Sequence, residues 1–142
     1  MPDLRGERLS GDPMNGVALS HLLLVGVGGF VGSVVRYLAG VLAQRVVPVG
    51  VFPLGTLSVN LLGCFAIGVA GRWVELQPSP DPTVRLFVLV GLLGGFTTFS
   101  AFAAESVGLF QAGHAGRAVV NVLVQVGLGL VAAALGYRLL PS

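Results

Sequence analysis

Residues 91–105 read GLLGGFTTFSAFAAE and lie in the middle of a long apolar segment. The two adjacent glycines weaken a helix at this point, because glycine loses much conformational freedom in helical geometry. Three hydroxyl side chains follow, on Thr97, Thr98 and Ser100. Irregular backbone at membrane depth occurs only where it is buried in protein or lines a cavity. A break there frees carbonyl oxygens for a cation and a helix N-terminus for an anion. The stretch therefore predicts a broken transmembrane helix beside an ion site.

The rest of the chain supplies apolar segments of membrane-spanning length. Charged residues are absent from 13–35, 46–71, 86–104 and 118–137, and a transmembrane helix needs about 20 apolar residues. The three prolines of 77–82 and the glycines of 111–116 indicate loops. We predict an all-α membrane protein with one transmembrane domain, 17–142, after a disordered polar tail, 1–16. Its four helices are expected at about 18–43, 52–74, 84–110 and 115–140.

The composition excludes an ordinary soluble protein. Charged residues make up 10% of the 142 residues and hydrophobic residues 54%, whereas charged residues are about 25% of a soluble domain. The single cysteine, Cys64, excludes an internal disulfide. Arg36 lies inside the first apolar run, which argues against a cleaved signal peptide. The sequence has no zinc-ligand spacing, no phosphate-binding loop and no nucleophile–base pair, so we predict that the protein is not an enzyme.

Polar side chains inside the spans are candidates for function, because they are costly in hydrocarbon unless they are paired or face water. Thr56 and Asn60 lie four residues apart in the second span, so they share a helix face. Asn121 and Gln125 do the same in the fourth span. The amide of Asn60 carries two donor hydrogens that its own helix turn cannot satisfy. Each pair predicts either hydrogen bonds to a neighbouring helix or the lining of a path.

Aromatic and charged side chains accompany the expected break. Phe99 and Phe102 are three residues apart and share a face, and the partly positive edges of their rings suit an anion. Glu105 either reaches the membrane interface or pairs with an arginine such as Arg36. Arg36 itself either extends to the interface or forms an anion vestibule. The functional alternatives predict an anion path beside the break.

Small residues recur at the spacing of closely packed membrane helices. Glycine makes up 22 of the 142 residues. The small-xxx-small pairs are Gly28/Gly32, Gly29/Ser33, Gly91/Gly95 and Ala132/Gly136. They predict close packing within one subunit and favour a tightly packed oligomer. The eight arginines divide five to three between the two sides of a four-span chain, a weak bias that is compatible with insertion in both orientations.

Three motifs resemble those of the Fluc (CrcB) fluoride channels. Residues 94–105, GGFTTFSAFAAE, look like the third-helix signature of that family. Residues 53–63, PLGTLSVNLLG, resemble its second-helix motif, and residues 28–37, GGFVGSVVRY, resemble its first. The similarity extends over about 21–140 and includes the number of helices and the order of the motifs. The resemblance implies passive export of fluoride across a bacterial inner membrane, which protects against fluoride toxicity.

The resemblance also implies an antiparallel, dual-topology dimer with two fluoride pores. Backbone carbonyls of Gly94 and Thr97 from both subunits would hold a central structural sodium ion. Phe99 and Phe102 would line the pores, and Asn60 would donate its amide hydrogens to fluoride. The further positions that match polar or charged residues near the path are Thr98, Ser100, Glu105 and Arg36.

Two positions depart from the family pattern. Ala101 stands where the family often has serine or threonine, and Gln125 follows Asn121 one turn on, where the family commonly has serine. The second departure leaves open whether Asn121 and Gln125 line the path. It also leaves open a homodimer or a heterodimer with a paralogous chain.

Two other functions compete with the channel. A small multidrug-type exporter is also a four-helix dual-topology dimer, but proton-coupled export needs an embedded carboxylate, usually in the first helix, where this chain has none. A non-transporting membrane subunit would explain the glycines. It would not explain Asn60 together with the cluster of hydroxyl and phenyl groups.

Overall fold

The computed structural model describes residues 18–46 and 52–141, and none of these residues lies in a β-strand. Helix α1 is Leu19–Val46, and α2 is Leu54–Glu75. The expected tail, 1–16, lies outside the described residues.

The third span is divided into two helical halves. Its first half, α3, runs continuously through a turn at Pro82–Val84, a π-helical segment at Arg85–Leu93 and a turn at Gly94–Phe96. Its second half, α4, is Phe99–Gln111. The last helix, α5, is Ala115–Arg138.

Four segments are long and apolar enough to cross a membrane. They are Leu19–Ala43, Leu54–Glu75, Pro82–Gln111 and Ala115–Arg138. The predicted all-α class and the four spans are therefore confirmed, with helix ends that move by no more than three residues. The protein is an integral, multi-pass membrane protein.

Local sequence explains where the third span begins and ends. Asp81 is the N-cap of α3, and its carboxylate accepts a hydrogen bond of 2.8 Å from the Thr83 N–H. Pro82 occupies the first helical position, where its missing N–H costs nothing. After α4, Gly113 has φ 81°, a left-handed conformation that favours glycine. The two loops thus lie where proline and glycine predict them.

Glycines allow the helices to approach closely. The main helix pairs are α2 with α5 and α1 with α3, and α4 packs mostly on α5. A Cβ at Gly28 would lie 2.6 Å from the Phe87 carbonyl oxygen, and one at Gly95 would lie 2.5 Å from that of Gly29. A Cβ at Gly136 would overlap the backbone of α2. The pairs Gly28/Gly32 and Gly91/Gly95 therefore pack helices within one chain.

Large apolar side chains cover the outside of the fold, and two side-chain amides are buried among the helices. Large apolar side chains such as Phe30 and Leu130 are 71% and 69% exposed, whereas Asn121 is 0% and Gln125 8% exposed. Polar groups are expensive in hydrocarbon, so a membrane helix turns them towards other helices. This arrangement places the polar side chains of α2 and α5 beside the divided third span.

Candidate functional site

The predicted helix break is confirmed and lies at two threonines. Thr97 has φ −90° and ψ 157°, and Thr98 has φ −151° and ψ 118°, so both are extended. The hydroxyl of Thr98 caps α4 by accepting a 3.3 Å hydrogen bond from the Ala101 N–H, and its oxygen is 3.0 Å from Ser100 Oγ. The glycine pair at 94–95 is still helical. The glycines therefore precede the break and do not form it.

Asn60 of α2 holds the broken backbone. Its Oδ1 accepts a 3.0 Å hydrogen bond from the Thr98 N–H, and its Nδ2 donates one of 3.2 Å to the Thr98 carbonyl. Nδ2 also donates a 3.1 Å hydrogen bond to Oε1 of Gln125 on α5. All three distances are ordinary for N–H···O bonds. One side-chain amide thus replaces the backbone partners that Thr98 lost and links α2, α4 and α5.

The break releases the carbonyl groups of the last turn of α3 from helical bonding, and those of Gly94 and Thr97 are among them. In a continuous helix the Thr98 N–H would donate to the Gly94 carbonyl, and the Ala101 N–H to that of Thr97. Here the Thr98 N–H donates to Asn60 Oδ1, and the Ala101 N–H donates to Thr98 Oγ1. The carbonyls of Gly94 and Thr97 have therefore lost their helical donors.

Arg36 binds the end of α3. Its Nε donates a 3.1 Å hydrogen bond to the carbonyl of Gly95, and Ser33 Oγ lies 3.5 Å from the same oxygen. The side chain is half-buried. Carbonyls at a helix C-terminus carry partial negative charge, which a guanidinium stabilises. Arg36 is therefore anchored beside the break.

Glu105 pairs with a hydroxyl. Its Oε1 accepts a 2.5 Å hydrogen bond from Thr56 Oγ1, and the alternative of a pair with Arg36 is not found among the described residues. Arg36 is bound to a carbonyl of α3 instead. Glu105 Oε2 is buried and has no hydrogen-bond partner among residues 18–46 and 52–141. The Thr56 and Asn60 face of α2 is thus turned towards α4, as the four-residue spacing predicts.

An open groove of about 290 Å³ runs beside the break. Its lining residues are Asn60, Gly63, Cys64, Ile67, Thr97, Thr98, Phe99, Phe102, Gln125 and Val126. The rings of Phe99 and Phe102 meet edge to face, with centroids 5.3 Å apart and planes at 69°. Phe102 is 7% exposed and Phe99 is 77% exposed. The groove therefore offers amide, hydroxyl and aromatic-edge groups in apolar surroundings, which suits a desolvated anion.

The groove contains only some of the predicted site residues. It brings together Asn60, Thr97, Thr98, Phe99, Phe102 and Gln125. Those outside its lining are Arg36, Gly94, Ser100, Glu105 and Asn121.

Asn121 fixes α5 against α4. Its Nδ2 donates a 2.9 Å hydrogen bond to Ser106 Oγ, which donates one of 2.8 Å to the Phe102 carbonyl. Sequence reasoning missed Ser106, although it lies four residues after Phe102 and so shares its face. It also missed Gly63 and Cys64, three and four residues after Asn60. The helical spacing of three or four residues places Ser106 on the face of Phe102, and Gly63 and Cys64 on the face of Asn60.

One family model and the relatives described here each match most of this chain. A family model described as "CrcB-like protein, Camphor Resistance (CrcB)" matches residues 23–137. A protein of Rhizobium meliloti (strain 1021) named Fluoride-specific ion channel FluC is 40% identical over 123 residues, 86% of this chain and 97% of that protein. A protein of the same name from Thermus thermophilus is 45% identical over 121 residues, 85% of this chain and 95% of its own length. The region that the family model matches contains the break and the whole groove lining.

Proposed function

The chain belongs to the CrcB-like family, and from this premise we propose that it is a fluoride channel that lets fluoride leave the cytoplasm passively. One observation carries the proposal: Asn60 and the rings of Phe99 and Phe102 line the same groove beside a helix break. The names of the relatives, Fluoride-specific ion channel FluC, support the choice of ion. The expected location is a bacterial inner membrane, and the expected benefit is resistance to fluoride.

The groups of the groove suit a small anion that must lose its water. Fluoride is strongly hydrated, so the groove has to replace water by donors and by positively polarised edges. Asn60 supplies amide hydrogens, and Phe99 and Phe102 supply ring edges. The apolar surroundings strengthen each of these interactions, because they are poorly screened. Chloride is larger and gains less from the same donors, which favours selectivity for fluoride.

We further propose that the carbonyls of Gly94 and Thr97 hold a structural sodium ion. The loss of the helical donors at these two oxygens supports the proposal, because a carbonyl without a partner is costly at membrane depth. The neighbouring Gly95 carbonyl is already bound by Arg36. A bound sodium ion would satisfy these oxygens and add positive charge that favours anions nearby.

A dual-topology dimer with two pores completes the proposal. The groove is open to one side, and Phe99, which forms part of its wall, is 77% exposed. Two carbonyls from one chain are few for a cation, and a second chain related by a two-fold axis would double them. A homodimer is the simplest assembly that closes the groove, and a heterodimer with a paralogous chain is the alternative.

Fluoride efflux from liposomes tests the function directly. The purified chain is reconstituted alone, and efflux is followed with a fluoride electrode while a potassium ionophore dissipates the membrane potential. Liposomes loaded with chloride and liposomes without protein serve as controls. Fast fluoride efflux without chloride loss is expected. Monodisperse protein that releases no fluoride, either alone or co-reconstituted with a paralogous chain, would refute the channel.

A further inference from the structure

We propose that Gln125 tunes the fluoride affinity of the groove by competing with the ion for a hydrogen of Asn60. This inference rests on the proposed function, because it concerns the same groove. Gln125 is 8% exposed and lies on α5, across the groove from α4. Its Oε1 is an oxygen acceptor 3.1 Å from Asn60 Nδ2. This oxygen has the acceptor role towards Asn60 that fluoride would take.

The donor capacity of Asn60 is already used in full. A carboxamide nitrogen carries two hydrogens. Nδ2 of Asn60 donates to the Thr98 carbonyl at 3.2 Å and to Gln125 Oε1 at 3.1 Å. An anion can therefore bind Asn60 through its amide only if one of these two bonds opens. The sequence gives no sign of this competition, since it depends on α2 and α5 meeting at these two positions.

The bond to Gln125 is the one that can open at lower cost. Asn60 contacts Thr98 at two points, N–H and carbonyl, so releasing either one disturbs the helix break. Gln125 is bound to Asn60 at one point, through a side chain with three rotatable bonds. Its Nε2 is buried and has no hydrogen-bond partner in the described part of the chain. Among the described hydrogen bonds, rotation of the Gln125 amide therefore breaks only the one to Asn60.

The expected effect follows from the value of one neutral hydrogen bond. Such a bond contributes a net factor of about 2 to 10 to an equilibrium inside a protein. Removing the competing oxygen should lower the fluoride concentration for half-maximal efflux by about that factor. A stronger acceptor at position 125 should raise this fluoride concentration. The maximal rate does not carry this information, so the half-saturating concentration is the quantity to measure.

Two substitutions of similar size change the competitor in opposite directions. Gln125→Met keeps the volume and removes the amide oxygen, so half-saturation should fall about 2- to 10-fold. Gln125→Glu keeps the shape and supplies a charged acceptor, which bonds about twice as strongly as a neutral one and also repels fluoride. Its half-saturating concentration should rise about 10-fold or more. Leu130→Met, on the exposed face of α5, is the matched control and should leave half-saturation unchanged.

Initial fluoride efflux is measured over a range of fluoride concentrations for the native chain and the three variants. Opposite shifts in the two Gln125 variants support the competition. Shifts in the same direction, or lower maximal rates at an unchanged half-saturating concentration, would mean that Gln125 acts through packing or through its Nε2 donor, and would overturn the competition. If Gln125→Met does not give monodisperse protein, Gln125→Glu decides, and an unchanged or lower half-saturating concentration refutes the idea. Absence of efflux from the native chain, both alone and co-reconstituted with a paralogous chain, would overturn the proposed function as well. Efflux from the native chain without opposite shifts in the variants overturns only the competition, so the two failures are distinguishable.

Discussion

Asn60→Asp changes one group at the centre of the site and keeps its shape. In the native chain the Asn60 side chain makes three hydrogen bonds. Aspartate retains the bond from the Thr98 N–H, because that bond ends on an oxygen. It loses the two bonds in which Nδ2 donates. An oxygen would then face the Thr98 carbonyl at about 3 Å, where two acceptors repel each other. The Gln125 amide can rotate and donate from Nε2, which has no hydrogen-bond partner among the described residues.

The cost of this substitution can be worked out for stability and for passage. The Thr98 carbonyl, left facing an acceptor, lowers the free energy of unfolding by about 1–3 kcal/mol. For passage, the carboxylate removes a donor to the ion, which is worth about 1.5–3 kcal/mol when one partner is charged. It also adds repulsion of about 4 kcal/mol for two unit charges 4 Å apart at an effective dielectric constant of 20. Fluoride efflux should therefore fall at least about 100-fold.

The assay compares efflux with stability in the same preparations. Initial fluoride efflux is measured from liposomes, and unfolding is followed in detergent by the fluorescence of Trp73. Gly136→Ala is the control for destabilisation alone, because its methyl would overlap the backbone of α2 outside the groove lining. Asn60→Asp should lose efflux while Gly136→Ala, at equal protein per vesicle, retains it. Native efflux from well-folded Asn60→Asp would place Asn60 off the path and refute the reasoning.

Two further predictions concern the aromatic wall and the helix packing. Phe99→Ile and Phe102→Ile should each slow fluoride efflux from liposomes, because an alkyl group has no positively polarised edge, while size-exclusion chromatography still shows a dimer; normal efflux in both variants would remove the ring-edge argument. Gly68→Ala should destabilise the fold by about 1–3 kcal/mol, since its methyl would overlap the Ala133 carbonyl oxygen of α5. Gly127→Ala, whose methyl would meet no atom within 4 Å, should not; equal unfolding midpoints in denaturant would contradict the packing.

The positions of the spans could be predicted from the sequence because they depend on local composition. A run of about 20 uncharged residues has few other stable arrangements. The loop at 77–82 was also predictable, since three prolines cannot continue a helix. The π-helical segment Arg85–Leu93 was not, because nothing in its side-chain pattern separates it from an α-helix. The segment lies where α3 packs on α1 and where Gly28 and Gly91 bring the two backbones together.

The residues that form the site could be predicted from the sequence, but the residues that they contact could be predicted less well. The four-residue spacing correctly placed Thr56 and Asn60 on one inward face, and Asn121 and Gln125 on another. It could not tell which residue of α4 each would contact, because that depends on the relative rotation of two helices. Glu105 illustrates the limit. A carboxylate in a span needs a donor, and the sequence offered an arginine, but the fold supplied the hydroxyl of Thr56.

The glycines and the polar residues have different roles near the helix break. The sequence suggested that adjacent glycines would interrupt the helix, yet Gly94 and Gly95 remain helical. Gly95 instead lets α3 approach α1, where a Cβ would lie 2.5 Å from the Gly29 carbonyl oxygen. A helix is interrupted where another group competes for its backbone hydrogen bonds, and the side-chain amide of Asn60 does so here. Asn60 takes both backbone groups of Thr98, and the break is found there.

The residue proposed to bind the ion is therefore also the residue that shapes the groove, so a substitution at Asn60 perturbs binding and architecture together. Gln125, which contacts Asn60 but no backbone group of the break among the described hydrogen bonds, is the position at which affinity can be changed separately.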